Sequence, residues 1–81
     1  MKQTVKLFAR AKDLAGTDVL VLELAPAARV VDLRSGLAKV CPNLSILLPS
    51  LLIAVNNEYA SDESPLPENA EVACFPPVSG G

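Results

Sequence analysis

Residues 30–41, VVDLRSGLAKVC, decide the fold of this chain because they carry its clearest helical pattern. Apolar side chains recur at the i, i+3, i+4 and i+7 spacing of an amphipathic helix, and they are Val30, Leu33, Leu37, Val40 and Cys41. Asp32 in the first turn and Lys39 in the last suit the helix dipole, and Pro42 marks the end. Two features weaken the pattern: no good N-cap residue precedes it, and Gly36 disfavours a helix by about 1 kcal/mol relative to Ala.

Strand-like segments lie on both sides of this helix. Before it, residues 4–9 (TVKLFA) alternate, a helical turn or two over 10–15 ends at Gly16, and residues 18–24 (DVLVLEL) suit a strand. After it come the strand-like residues 51–55, 58–60 and 71–75, with a loop over 61–70. One main helix on one face of a mixed sheet is an α+β arrangement. The order fits the ubiquitin-like β-grasp fold, in which the first and last strands lie side by side at the sheet centre.

The composition excludes several classes of site and partner. The 81 residues make one domain, contain no His and only two Cys, and carry a net charge of −2. Zinc sites of the Cys₂His₂ or Cys₄ type, Ser-His-Asp triads and Cys-His pairs therefore cannot be assembled. We interpret Glu58, Asp62 and Glu63 as a solvated acidic surface, so no metal site is expected. The pI of about 4.9 argues against nucleic acid as a partner, and the 51% hydrophobic content indicates a surface that faces another protein.

The sequence also predicts a cytoplasmic location. Its first residues run into a strand without the apolar segment of a signal peptide. The longest apolar run, residues 44–55, is too short to span a bilayer, so no membrane association is expected. Cys41 belongs to the apolar face of the predicted helix, and Cys74, two positions after Val72, faces the same side of its strand as Val72. Both are therefore expected to be reduced core thiols rather than sulfur carriers.

The chain is predicted to divide into a β-grasp domain over residues 1–75 and a flexible, extended tail over residues 76–81. The tail consists of Pro76, Pro77, Val78, Ser79, Gly80 and Gly81. The prolines stiffen its start, and glycines without side chains suit a narrow tunnel. Ser79 has no base in the sequence to activate it. The reactive group is then the α-carboxylate of Gly81, a poor electrophile until another protein converts it with ATP into an acyl-adenylate.

Two of the three aromatic residues are predicted to form a docking patch. Side chains alternate along strands, so if Leu7 and Val72 face the helix, Phe8 and Phe75 face the other way. Pairing of the first and last strands would bring both rings together at the base of the tail, as anchors for a partner. The alternative is that a loop covers them.

Four basic residues near the start of the chain are expected to face solvent or to meet an acidic partner surface, and they are Lys2, Lys6, Arg10 and Lys12.

Over essentially its whole length the sequence resembles the small, sulfur-carrying subunits of molybdopterin synthases. The resemblance lies in residues 5–10 (VKLFAR), 13–16 (DLAG), 54–56 (AVN) and above all 71–81 (EVACFPPVSGG), whose ending FPPVSGG is the specific part. The chain departs from the family at two places. Ala28-Arg29 stands where the family has a Ser or Thr cap, and Asn69-Ala70 stands where it often has Gly-Asp.

This resemblance implies a function for Gly81. In this family an adenylating enzyme related to ubiquitin-activating proteins uses ATP to activate the C-terminal glycine, and a sulfur-relay protein converts it into a thiocarboxylate. The tail then enters the large synthase subunit within a heterotetramer, and its sulfur attacks cyclic pyranopterin monophosphate to build the dithiolene of molybdopterin. The chain would thus be the sulfur-donor subunit of an enzyme, with no cofactor bound by itself and no catalytic side chains.

Three other functions remain open. One is a ubiquitin-like sulfur carrier for thiamine synthesis or tRNA thiolation, although the Pro-Pro-Val-Ser spacer favours the synthase. Another is a protein modifier that becomes joined through Gly81 to a lysine of a target. The last is a binding module whose terminal glycines have no chemical role.

Overall fold

The structure, a computed structural model, describes residues 1–77. Within these residues a five-stranded mixed sheet carries the main helix on one face. In chain order the elements are β1 Lys2–Leu7, α1 Ala9–Ala15, β2 Val19–Glu23, α2 Val30–Val40, β3 Leu52–Val55, β4 Glu58–Tyr59 and β5 Val72–Phe75. Two 3-10 turns, Pro42–Leu44 and Leu48–Ser50, connect α2 to β3. No helix of this part of the chain has the length and apolar character needed to cross a membrane.

The two ends of the described chain meet at the centre of the sheet. The strand order is β2-β1-β5-β3-β4. β1 and β5 pair in parallel, with Val5 opposite Val72 and Leu7 opposite Cys74, whereas the other neighbouring strands pair antiparallel. The predicted arrangement, with the first and last strands side by side, is therefore confirmed.

The hydrophobic core lies between the sheet and α2. Alternation along β1 sends Val5 and Leu7 into this core and leaves Lys6 exposed. From α2 the buried residues are Val30, Leu33 and Leu37. The prediction for Val40 was wrong, since this side chain is 52% exposed. The helix ends at this residue, and the buried Leu44 and Leu48 of the two 3-10 turns complete the core beyond it.

A loop distant in sequence supplies the cap that α2 lacks. The first backbone N–H groups of a helix have no partner within the helix. Here the N–H of Val30 donates to the carbonyl of Ser64 and that of Val31 to the carbonyl of Asp62, both at 3.0 Å. In addition the Asp32 carboxylate accepts the N–H of Arg29 at 2.8 Å. The helix therefore forms without a Ser or Thr before it.

Gly36 allows α2 to approach β2 closely. A Cβ atom at this position would lie 3.3 Å from Leu22 Cδ1 and 3.5 Å from Leu24 Cδ2. The first distance is shorter than ordinary van der Waals contact between carbon atoms. The glycine that weakens the helix pattern in the sequence thus has a packing role in the folded protein.

Four non-glycine residues among residues 1–77 adopt the left-handed conformation, and two of them, Ala9 and Asn69, bear on the predictions. Ala9 has a φ of 53° and begins α1, so the first strand ends at Leu7 and its predicted extent to residue 9 was wrong. Asn69 has a φ of 58°, a region that Asn tolerates better than most residues. This explains how Asn69 can stand where the resembling family often has glycine.

Candidate docking face and tail

Phe8 and Phe75 lie side by side on the sheet face opposite α2. Their ring centroids are 4.8 Å apart and their planes differ by 10°, which is a stacked arrangement. The backbone N–H of Phe8 donates to the carbonyl of Cys74 at 3.2 Å and holds the end of β1 against β5. Phe8 is 42% exposed and Phe75 is half-buried, so no segment among residues 1–77 covers the pair completely. The predicted placement of the two rings is confirmed.

The two rings belong to a larger surface on the sheet. We call it the open face, and it comprises Lys6, Phe8, Leu52, Ala73 and Phe75. Leu52 is the partner of Phe75 across β3 and β5, and Lys6 is the partner of Ala73 across β1 and β5. All of these residues except Leu52 line a shallow concavity of about 470 Å³. An exposed apolar surface with a concave shape is a candidate site for another protein.

The contribution of Leu52 to the open face was missed in the sequence. Residues 51–55 are all apolar and show no alternation of polar and apolar types, although Leu51 and Ile53 are buried while Leu52 is exposed. The register of the β3–β5 pair explains the orientation. Ile53 is the partner of Cys74, and Cys74 was predicted to be in the core, so the neighbouring Leu52 had to face the other side.

The tail leaves the sheet directly beside the open face. β5 ends at Phe75, Pro76 is half-buried and Pro77 is exposed. Neither proline can donate a hydrogen bond to a neighbouring strand, which accounts for the end of the sheet at this point. The other predicted tail residues, Val78, Ser79, Gly80 and Gly81, lie outside the described residues.

Burial makes Cys74 unsuitable as a nucleophile. Its side chain faces the core and is fully buried, and this desolvation raises its pKa from 9.0 to about 12, although the nearby Arg34 charge acts in the opposite direction. The reactive form of a cysteine is the thiolate. Cys41 is half-buried at the end of α2, less deeply than predicted.

The acidic residues considered for a metal site do not come together. Asp62 accepts a hydrogen bond from Arg34 Nε at 2.8 Å. Arg34 also donates to the carbonyl of Leu48 and so joins α2 to two connecting segments. Within residues 1–77, no group of three or more His, Cys, Asp or Glu side chains is arranged to hold a metal ion. Asp62 thus has a structural role that the sequence pattern did not indicate.

Comparisons with known proteins agree with this geometry. The ThiS family pattern matches residues 5–81. The molybdopterin synthase sulfur carrier subunit of Escherichia coli (strain K12) is 38% identical over 79 residues, which cover 95% of this chain and 96% of the relative.

Solved structures share the fold. The putative molybdopterin converting factor, subunit 1, from Pyrococcus furiosus is 35% identical, with a TM-score of 0.83 over 95% of this chain and 98% of that one. SAMP1, the small archaeal modifier protein 1 of Haloferax volcanii, is 28% identical, with a TM-score of 0.88 over 100% of both chains. These likenesses confirm the predicted ubiquitin-like β-grasp fold.

Proposed function

The chain belongs to the ThiS family, and we propose on this premise that it is the sulfur-carrier subunit of a molybdopterin synthase. The observation that carries this proposal is the 38% identity over 79 residues to the sulfur carrier subunit of Escherichia coli. The ending FPPVSGG over residues 75–81, which the resemblance singled out, supports it. The role of the chain is then sulfur transfer as part of a two-subunit enzyme.

The reactive atoms belong to the backbone of Gly81 rather than to a side chain. In the proposed sequence, the α-carboxylate of Gly81 attacks the α-phosphorus of ATP on an adenylating enzyme, and pyrophosphate leaves. A sulfide-level sulfur from a relay protein then attacks the carbonyl carbon of Gly81, AMP leaves, and a thiocarboxylate results. That sulfur attacks cyclic pyranopterin monophosphate in the large subunit, water then cleaves its bond to the carbonyl carbon of Gly81 and restores the carboxylate, and the sulfur stays with the substrate as part of the dithiolene. The burial and raised pKa of Cys74 support a carrier whose sulfur is not held by that thiol.

The body of the protein is proposed to present the tail. Residues 1–75 form the β-grasp domain, and residues 76–81 form the arm that enters the large subunit. Phe8 and Phe75 are proposed as docking anchors because their rings are stacked, accessible and adjacent to the start of the arm. Pro76 and Pro77 direct the arm away from the sheet, and Val78, Ser79 and Gly80 carry Gly81 into the partner.

The proposed partners follow from this chemistry. They are the large synthase subunit, with which the chain forms a heterotetramer in the cytoplasm, the adenylating enzyme and a sulfur-relay protein. ATP is consumed on the adenylating enzyme, so the chain needs no cofactor, metal, nucleic acid or membrane of its own.

Intact-mass analysis tests the proposal directly. The full chain is incubated with the adenylating enzyme, ATP and a sulfur donor, and its mass is measured before and after addition of the large subunit and cyclic pyranopterin monophosphate. We expect one oxygen of the chain to be exchanged for sulfur and then restored as molybdopterin forms. A variant extended by one residue beyond Gly81 should keep the fold but take up no sulfur. Sulfur uptake by that variant without trimming, or none by the native chain, would contradict the proposal.

A protein modifier is the second candidate, because the small archaeal modifier protein 1 of Haloferax volcanii shares the fold at a TM-score of 0.88 and 28% identity. In that function the activated Gly81 is joined to a lysine of a target protein. Isopeptide-linked adducts in cells, without a stable thiocarboxylate, would favour this candidate over the sulfur carrier.

A further inference from the structure

We propose that Lys6 selects the large subunit by pairing with a carboxylate that this subunit places over the open face. The inference rests on the proposed function, since it takes the open face to be the surface on which the large subunit docks. It adds the chemistry that the partner must present at one defined point of that surface.

Lys6 lies among the apolar residues of the open face, in a concavity that Thr4 and Glu71 also line. Its strand, β1, has neighbours on both sides, and the partners of Lys6 across the two ladders are Val19 in β2 and Ala73 in β5. Phe8 follows two residues later on the same side of the strand, and Lys6 and Phe8 line the same concavity as Phe75. A protein that covers the stacked rings therefore also covers Lys6.

The ammonium group of Lys6 has no carboxylate partner within residues 1–77. The ion pairs of this part of the chain join the amino group of Met1 to Glu23, and Arg34 to Asp62. Lys2 lies on the same side of β1 but faces Glu23 across the β1–β2 ladder, so its charge has an acidic neighbour. Glu71 lines the concavity as well, but it forms no ion pair with Lys6.

Docking changes the energetics of this charge. In the free chain Lys6 is exposed and hydrated. Under a partner the ammonium loses its water, which is strongly unfavourable unless an opposite charge takes its place. Lysine is depleted in protein interfaces for this reason. A large subunit that covers Phe8 and Phe75 must therefore bring a carboxylate to Lys6, and a surface without one is rejected.

Lys39 provides a matched control for this charge. It is exposed in the last turn of α2, on the opposite side of the sheet from the open face. Replacing either lysine by Glu changes the net charge from −2 to −4. Any difference between the two variants therefore reports the position of the charge rather than its sum. Thermal melting establishes that each variant is folded.

Calorimetric titration of the large subunit tests the pairing. For Lys6→Glu we expect affinity at least about tenfold weaker than for Lys39→Glu. Lys6→Met should also bind about tenfold more weakly than the native chain, because the carboxylate of the partner is left unpaired. The difference in affinity between Lys6→Met and the native chain should become smaller when the salt concentration is raised from about 0.1 M to about 1 M, where the screening length falls to about 3 Å.

The outcomes separate this inference from the proposed function. Native-like or tighter binding by Lys6→Met would overturn the pairing and would mean that Lys6 only keeps the free surface hydrated. Equal weakening by the Glu variants at positions 6 and 39 would also overturn it, since net charge alone would then explain both. Absence of any complex between the native chain and the large subunit would instead refute the proposed function, and this inference with it.

Discussion

The stacked rings of Phe8 and Phe75, with centroids 4.8 Å apart, join the end of β1 to the end of β5 on a face that the rest of residues 1–77 leaves accessible. A stacked aromatic pair contributes about 0.5–1.5 kcal/mol beyond the area that it buries. Both rings keep contact with solvent, Phe8 more than Phe75, so part of their apolar surface stays available for a partner. Their contribution to binding should therefore exceed their contribution to folding.

Replacement of Phe75 by Ala tests this relationship. We expect the free energy of unfolding of the isolated chain to fall by about 2 kcal/mol, from the lost stack and the buried part of the ring, and the affinity for the large subunit to fall by about 3 kcal/mol, as for an interface hot spot. Thermal melting and calorimetric titration measure the two effects. Ile46→Ala is the control. Ile46 is also an exposed apolar residue, at 79%, but it lies between the two 3-10 turns and does not belong to the open face. A larger loss of folding than of binding would place Phe75 among the core residues.

The raised pKa of Cys74 predicts a dependence of stability on pH. The thiol stays protonated in the folded chain up to about pH 12, whereas in the unfolded chain it ionises near 9.0. The contribution of the protonated thiol to the free energy of unfolding is therefore fully present below about pH 9 and is lost as the pH rises toward about 12. Between about pH 8 and about pH 10.5, the native chain should lose about 2 kcal/mol more of its unfolding free energy than Cys74→Ala.

Chemical denaturation at the two pH values measures this difference. The two proteins differ only at position 74, so the comparison isolates the thiol. Parallel pH profiles for the native chain and Cys74→Ala would show that the thiol ionises in the folded protein. In the sulfur-loading assay, Cys74→Ala should take up sulfur normally, because the thiol is not the carrier.

The close approach at Gly36 predicts a sharp dependence on side-chain size. Gly36→Ala should change stability by less than about 1 kcal/mol, since its gain in helix propensity is offset by contact with Leu22 at 3.3 Å. Gly36→Leu should destabilise by up to about 3 kcal/mol through overpacking. Ser35→Leu, at the exposed neighbouring position, should be tolerated. Similar melting temperatures for the two Leu variants would argue against close packing of α2 on β2.

Much of the fold was predictable because local patterns determine it. Alternation along β1 separates the buried Leu7 from the exposed Phe8, and the parity of β5 gives the same result for Cys74 and Phe75. Since the two strands pair in parallel at the centre of the sheet, the placement of the aromatic pair followed from the sequence.

The remaining features depend on contacts between distant residues. The cap of α2 comes from the carbonyls of Asp62 and Ser64, about 30 positions further along the chain, and no local pattern indicates it. Within the apolar run 44–55, Leu44 and Leu48 are buried because they lie in the two 3-10 turns. The side-chain period of a 3-10 turn differs from that of a strand or an α-helix.

The parallel pairing of β1 with β5 also has a consequence during synthesis. β1 leaves the ribosome before the other strands of the sheet, yet it lacks a neighbour on one side until residues 72–75 emerge. A nascent chain cannot complete its sheet earlier, and such non-local pairing slows folding. Molecules cut short before β5 lack the central strand and expose their core to proteases. Completion of the sheet thus requires translation as far as Phe75, the residue directly before the tail.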